Sequence, residues 1–126
     1  MGKAGFLFEP KDFLEFVHTT IFDRVWKQLG LNDEGDLASL QASIMVDPKA
    51  WPVITGTGGA RKLRFAPPDW PVGKSGALRV IYSYFEPFHV CALVLLYPKA
   101  TKENISNDDK KAIKRVIAAI EAGLGK

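Results

Sequence analysis

The sequence predicts an α+β fold: an N-terminal helical hairpin, an antiparallel meander sheet of about four strands, and a C-terminal helix. Three observations predict it. Apolar residues recur at helical spacing in two early segments and again in the last twenty residues. Between them lie strand-length runs, alternating or wholly apolar, bounded by glycine and proline. The resulting order is strand, two helices, three strands, helix, which masses the helices against one face of a sheet.

A length of 126 residues fits one domain, and 47% apolar residues can fill an ordinary core. No run approaches the roughly 18 apolar residues of a membrane span. The first residues, Met1-Gly2-Lys3-Ala4-Gly5-Phe6, lack a long apolar stretch, so no secretory signal is read there. The lone Cys91 can build neither a disulfide framework nor a zinc site, and reads as a small core residue in a reducing compartment. The expectation is a cytoplasmic protein with no membrane partner.

Taken in order, residues 1–12 have no clear period and contain Pro10, so they read as an arm before a single domain at 13–126. Residues 13–19 alternate well enough for a strand, with His18 read as a packed or exposed side chain. Thr19 or Thr20 then caps a helix from about Ile21 to Leu29, with Ile21, Phe22, Val25, Trp26 and Leu29 on its apolar face. Gly30 ends it. Asn32 or Asp33 caps a second helix, which carries Leu37, Leu40 and Ile44 inward and stops at Asp47-Pro48. The connection between the two helices is short enough for an antiparallel hairpin.

A connector holding Trp51 and Pro52 leads to Gly56-Thr57-Gly58-Gly59. These glycines fit either a turn needing positive φ or a phosphate cradle. Gly73-Lys74-Ser75 matches the tail of a P-loop, but Pro68 stands where the first glycine is required, and a strand follows instead of a helix. Nucleotide binding by that route is excluded, and no nucleotide cofactor is expected. In residues 61–65, Leu63 and Phe65 point one way and Lys62 and Arg64 the other. The following loop is long and holds Trp70, which fits base stacking and loop pinning equally well. Residues 78–85 form a strand with Arg79 near its start. Residues 90–97 are apolar throughout, as in a central strand buried on both faces. Ser106 and Asp109 resemble a capping box for the last helix. Its Lys110, Lys111, Lys114 and Arg115 read as a solvated face and not as a second RNA site.

Charge singles out one stretch. Residues 60–80 hold five bases (Arg61, Lys62, Arg64, Lys74, Arg79) and one acid, Asp69, a net +4. The whole chain totals +3, so the other 105 residues sum to −1. A local positive patch is an electrostatic footprint for phosphate, most simply nucleic acid.

The ordered set Gly56-Thr57-Gly58-Gly59-Ala60-Arg61-Lys62-Leu63-Arg64, Gly73-Lys74-Ser75-Gly76, Arg79-Val80-Ile81-Tyr82 and Tyr97-Pro98-Lys99 resembles the RelE/ParE toxin superfamily, most of all the HigB-type branch of RelE toxins. Asp47-Pro48-Lys49 before Val53-Ile54 fits that branch too. The resemblance implies the small RelE-like fold and the toxin of a type II toxin–antitoxin pair. Such toxins enter the ribosomal A site and cleave mRNA there without a metal. Their partner is an antitoxin, in this branch often a helix-turn-helix protein. By position, Lys62, Arg64, Arg79 and Lys99 match the family's basic residues. Many relatives place a tyrosine shortly after the fourth strand as an acid–base group, and some use histidines. Residues 100–105 hold neither here, and Tyr97 is the nearest tyrosine.

The chemistry implied is attack of a ribose 2′-OH on the neighbouring phosphate. Arg64 and Arg79 suit stabilisation of the charge growing on phosphorus, because guanidinium forks fit phosphate and stay charged. A lysine among other cations gives up its proton more readily, so Lys62, Lys74 and Lys99 are proton-transfer candidates, with Tyr97 beside them. Arg61, Lys62, Trp70 and Lys74 are the expected RNA contacts. Two other readings stay open. A ParE-like toxin would bind DNA gyrase and need no cationic cluster, and a non-catalytic homologue would bind RNA without cutting it.

Overall fold

The computed structural model describes residues 13–70, 78–101 and 104–125. Its elements are β1 (Glu15–His18), α1 (Thr20–Gln28), α2 (Asp36–Val46), β2 (Arg61–Phe65), β3 (Leu78–Phe85), β4 (Val90–Pro98) and α3 (Asn107–Leu124). A 3-10 turn, Glu86–Phe88, joins β3 to β4. Among the described residues no helix is long and apolar enough to cross a membrane.

The helices begin where their caps dictate. Thr19 Oγ1 accepts from the Phe22 N–H at 3.0 Å, satisfying one of the unpaired donors of the first turn. The same hydroxyl donates to the Val94 carbonyl at 2.7 Å, which fastens α1 to β4. Gly30, at φ +73°, ends α1 in a conformation that suits glycine. The second helix starts later than its capping residues suggest. Asn32 Oδ1 accepts from the Gly35 and Asp36 N–H groups, while the Asp36 carboxylate accepts from the Asn32 N–H at 2.9 Å. This reciprocal turn absorbs residues 32–35, so the helix opens at Asp36. The capping box of Ser106 and Asp109 is present at the start of α3.

The sheet order is β1-β4-β3-β2. β2, β3 and β4 form the expected antiparallel meander, and β1 adds to β4 in parallel, so the sheet is mixed. β4 is central, as its unbroken apolar run predicts. The β3–β4 register shifts between Ile81 and Tyr82: Ile81 faces Leu95, Tyr82 faces Leu93, and Val94 is the extra residue.

Strand alternation divides the core in two. One face turns Leu63, Phe65, Leu78, Val80, Tyr82, Leu93 and Leu96 toward Phe22, Trp26, Leu40 and Ile44 of α1 and α2. The other turns Ile81, Phe85, Ala92, Val94 and Tyr97 toward Ile113 and Ile117 of α3. This corrects the expectation that all helices lie on one face. A strand as apolar as β4 must be covered on both sides, and the apolar stripe of α3 supplies the second cover. Cys91 is fully buried in the first cluster, and burial pushes its thiol far up, so it stays protonated and inert.

Candidate functional site

The alternation that sends Leu63 and Phe65 into the first core sends Lys62 and Arg64 to the opposite face. In the β2–β3 ladder Arg64 stands directly across from Arg79. Side chains of directly opposed residues share a face, and like charges in that position destabilise a sheet. Three cations are thus collected on one small area, at a cost to the fold. α3 shares this face, but its buried residues, Ile113 and Ile117, cluster with Val94, Ala92 and Tyr97 of the central strand. Beside it a groove of about 280 Å³ remains, lined by Lys62, Arg64, Arg79, Trp51 and Pro52. Among the described residues the lining contains no acid.

Trp51 was not foreseen as part of this site. It arrives from the irregular connector before β2, which is held by specific bonds. Arg61 Nη1 donates to the carbonyls of Lys49 at 3.0 Å and Trp51 at 2.7 Å. The Tyr82 hydroxyl donates to the Pro48 carbonyl at 2.8 Å, and the Ile54 N–H to the Ala60 carbonyl at 2.7 Å. So fixed, Trp51 presents its ring to Arg64, whose guanidinium carbon lies 5.6 Å from the ring centroid, within cation–π range. Arg61 itself is turned away from Lys62 by the strand alternation and is occupied with these carbonyls.

The remaining candidates are dispersed around the groove. Tyr97 pairs with Arg79 across β3 and β4 but is buried, 7% exposed, and does not line the groove. Burial raises its pKa, Arg79 pulls it back and Asp109 pushes it up again, so the phenol holds its proton at neutral pH. Lys99 is exposed in the turn after β4, two residues beyond Tyr97, and is also outside the lining. Trp70 is half-buried and packs against the first core cluster, which agrees with loop pinning. Lys74 lies outside the described residues.

The glycine run is a tight turn. Gly56, Gly58 and Gly59 have φ of +88°, +77° and +114°. Thr57 between them is fully buried, donating to the Ile54 carbonyl and accepting from the Ala60 N–H. Its hydroxyl faces inward, as a structural turn requires. A larger hollow of about 770 Å³ lies elsewhere along α3, among Val17, Ile21, Leu95, Ala112, Val116 and Ile120. Among the described residues its lining holds no lysine or arginine, and it includes the acid Asp109.

No family model matches the chain. Among solved structures it is similar to a double arginine-to-alanine mutant of the E. coli toxin RelE in the free state, at 16% identity and a TM-score of 0.48, covering 72% of this chain and 86% of that one.

Among the described residues no histidine or tyrosine lines the cationic groove. The groove can therefore grip and stabilise an anion with permanently charged guanidinium groups, and of its lining residues only Lys62 has a proton to exchange in ordinary chemistry.

Proposed function

We propose that this chain is the toxin of a type II toxin–antitoxin pair, of the HigB-type branch of RelE toxins, and that it cleaves mRNA in the ribosomal A site. The observation that carries the reading is the meeting of Lys62, Arg64 and Arg79 in one solvent-open groove. The ordered motifs that resemble the RelE superfamily support it from the sequence side.

In the proposed reaction the ribose 2′-oxygen attacks the adjacent phosphorus and the bond from phosphorus to the 5′-oxygen breaks. The products are a 2′,3′-cyclic phosphate and a 5′-hydroxyl. Arg64 and Arg79 hold the non-bridging oxygens, whose charge is greatest when phosphorus carries five oxygens, so their effect is larger on the transition state than on the substrate. The 2′-proton must leave and the 5′-oxygen must gain one. Lys62 is the groove's own candidate for one of these transfers, and Lys74 or Lys99 for the other. Tyr97 keeps its proton and stands opposite Arg79 in the ladder, which makes it the remaining donor candidate. The partners are mRNA on the ribosome and an antitoxin of helix-turn-helix type.

One observation favours a second reading, an RNA-binding homologue that does not cut. It is the absence of a described tyrosine or histidine from the groove. Mapping the 5′ ends of cellular mRNA after brief expression separates the two. The nuclease reading expects new ends inside translated codons for the wild type and none for Arg79→Ala, with that variant still folded. Wild-type protein that binds RNA yet creates no new ends would overturn it in favour of the binder.

A further inference from the structure

We infer that Trp51 is a nucleobase platform, and that Arg64 occupies it only until RNA arrives. The inference rests on the RNA-directed reading of the groove and adds to it a second recognition element, for a base instead of a phosphate.

The first support is how firmly the backbone carrying the ring is held. Residues 48–54 have no regular structure, yet Pro48, Lys49, Trp51 and Ile54 each bond to a residue of the β2–β3 hairpin or its approach. Val53 adds a bridge to Arg61. Arg61 spends its guanidinium on this task even though it sits one residue from the phosphate-binding cations. A connector without function would not need its only large aromatic fixed at the rim of an anion groove. A rigid ring, in contrast, is what stacking requires, because it loses little freedom when a base settles on it.

The second support is the spacing. Atoms in van der Waals contact sit about 3.5–4 Å apart. A base sandwiched between indole and guanidinium would thus need them about 7 Å apart, and they are 5.6 Å apart. Base and guanidinium therefore compete for one face of the indole. When a phosphate enters, Arg64 has a better partner across the groove, a charge-assisted bond in place of a cation–π contact. Its departure bares the ring at the moment a base is brought alongside. Trp51, Arg64 and Arg79 line one groove, so the base that stacks belongs to the bound phosphate's own nucleotide or its neighbour.

The third support is elimination among the three tryptophans of the chain. Trp26 is buried in the core, and Trp51 and Trp70 both pack against the same cluster. Trp51 is the tryptophan that reaches the groove. Stacking accepts any base, so the platform fixes the position of the strand and leaves codon choice to other contacts.

The test uses full-length protein and short single-stranded RNAs, 2′-O-methylated throughout so that no cleavage is possible. One series is intact, and the other carries a single abasic nucleotide scanned along the strand. Intact RNA is expected to bind the wild type about tenfold more tightly than Trp51→Ala, with most affinity kept in Trp51→Phe and lost in Trp51→Leu. One abasic position should weaken the wild type by a similar factor and leave Trp51→Ala unchanged, the non-additivity that marks a direct contact. The Phe-against-Leu contrast still decides if the alanine variant does not fold. Wild-type protein that binds RNA and responds equally to every abasic position, or Trp51→Leu that binds as well as Trp51→Phe, would overturn the platform and leave the nuclease reading intact. Wild-type protein that binds no RNA even at low salt would likewise overturn the platform, while the nuclease reading stands or falls on the mapped mRNA ends.

Discussion

The two faces of the sheet are built from the same strands and have opposite character. Under α1 and α2 the sheet is sealed: Leu63, Phe65, Val80 and Tyr82 are all buried against helical side chains. Under α3 the cover is partial, and beyond it the same strands present Lys62, Arg64 and Arg79 around a groove. Neighbouring residues on β2 thus serve different ends. The difference teaches that stability and recognition are separable here at the resolution of one residue, because strand alternation assigns them to opposite sides.

The widest separation should come from Arg64→Ala set beside Leu63→Ala. If the faces divide the work, Arg64→Ala lowers the proposed mRNA cleavage by about 100- to 1,000-fold, the usual loss when one charge-stabilising donor is removed. Its urea midpoint should stay within the equivalent of about 0.5 kcal/mol of wild type, since it removes a surface charge facing another of the same sign. Leu63→Ala should do the reverse, costing about 2–5 kcal/mol of stability with cleavage retained by the molecules that remain folded. Loss of stability in Arg64→Ala, or of intrinsic activity in Leu63→Ala, would break the division.

A smaller effect comes from pH. Tyr82 lies on the sealed face, and burial pushes its pKa up to about 12. Its folded value is above the unfolded one, so the folded state keeps a proton that the unfolded chain gives up. The stability this provides is whole below about pH 10 and is lost as pH rises toward 12. Tyr97 on the other face shifts in the same direction. Urea midpoints at pH 8 and pH 11 should therefore show a decline on the order of 2 kcal/mol. Tyr82→Phe should flatten much of that decline, while costing about 1 kcal/mol at pH 8 through the lost bond to the Pro48 carbonyl.

The smallest effect sharpens the role of the glycine turn. Gly58 has φ +77°, and a Cβ there would stand 3.3 Å from Lys114 Cγ on α3. Gly58→Ala should cost about 1–2 kcal/mol, mostly from the left-handed backbone, since the lysine stem can move aside. Cleavage by the folded fraction should be unchanged, read as specific activity at a temperature well below the melting point. A large fall in activity would instead place the turn in the RNA path.

Much of this was legible in the chain. The caps at Thr19 and at Ser106 with Asp109 lie where side-chain chemistry puts them, and alternation on β2 was enough to put Lys62 and Arg64 on one side. The same alternation puts Arg61 with Leu63, away from the phosphate face, although Arg61 is among the expected RNA contacts. What could not be read depends on contacts between distant segments. The stripe of α3 shows that one side is apolar, but not which sheet face it meets. Trp51 and Trp70 are alike in sequence terms, each beside proline in an irregular stretch. Only the assembled hairpin shows that both lean on the core while Trp51 also reaches the groove.

The bond from Thr19 to Val94 spans 75 residues and joins the first helix to the middle strand. β1 likewise has no partner until β4 exists, and β4 is the last strand made. During synthesis β1 and the Thr19 bond must therefore wait until the chain has been extended through β4. Contacts so distant along the chain slow folding. They also mean that the groove's two walls, from β2 and β3, close onto a finished sheet only after β4 has been made.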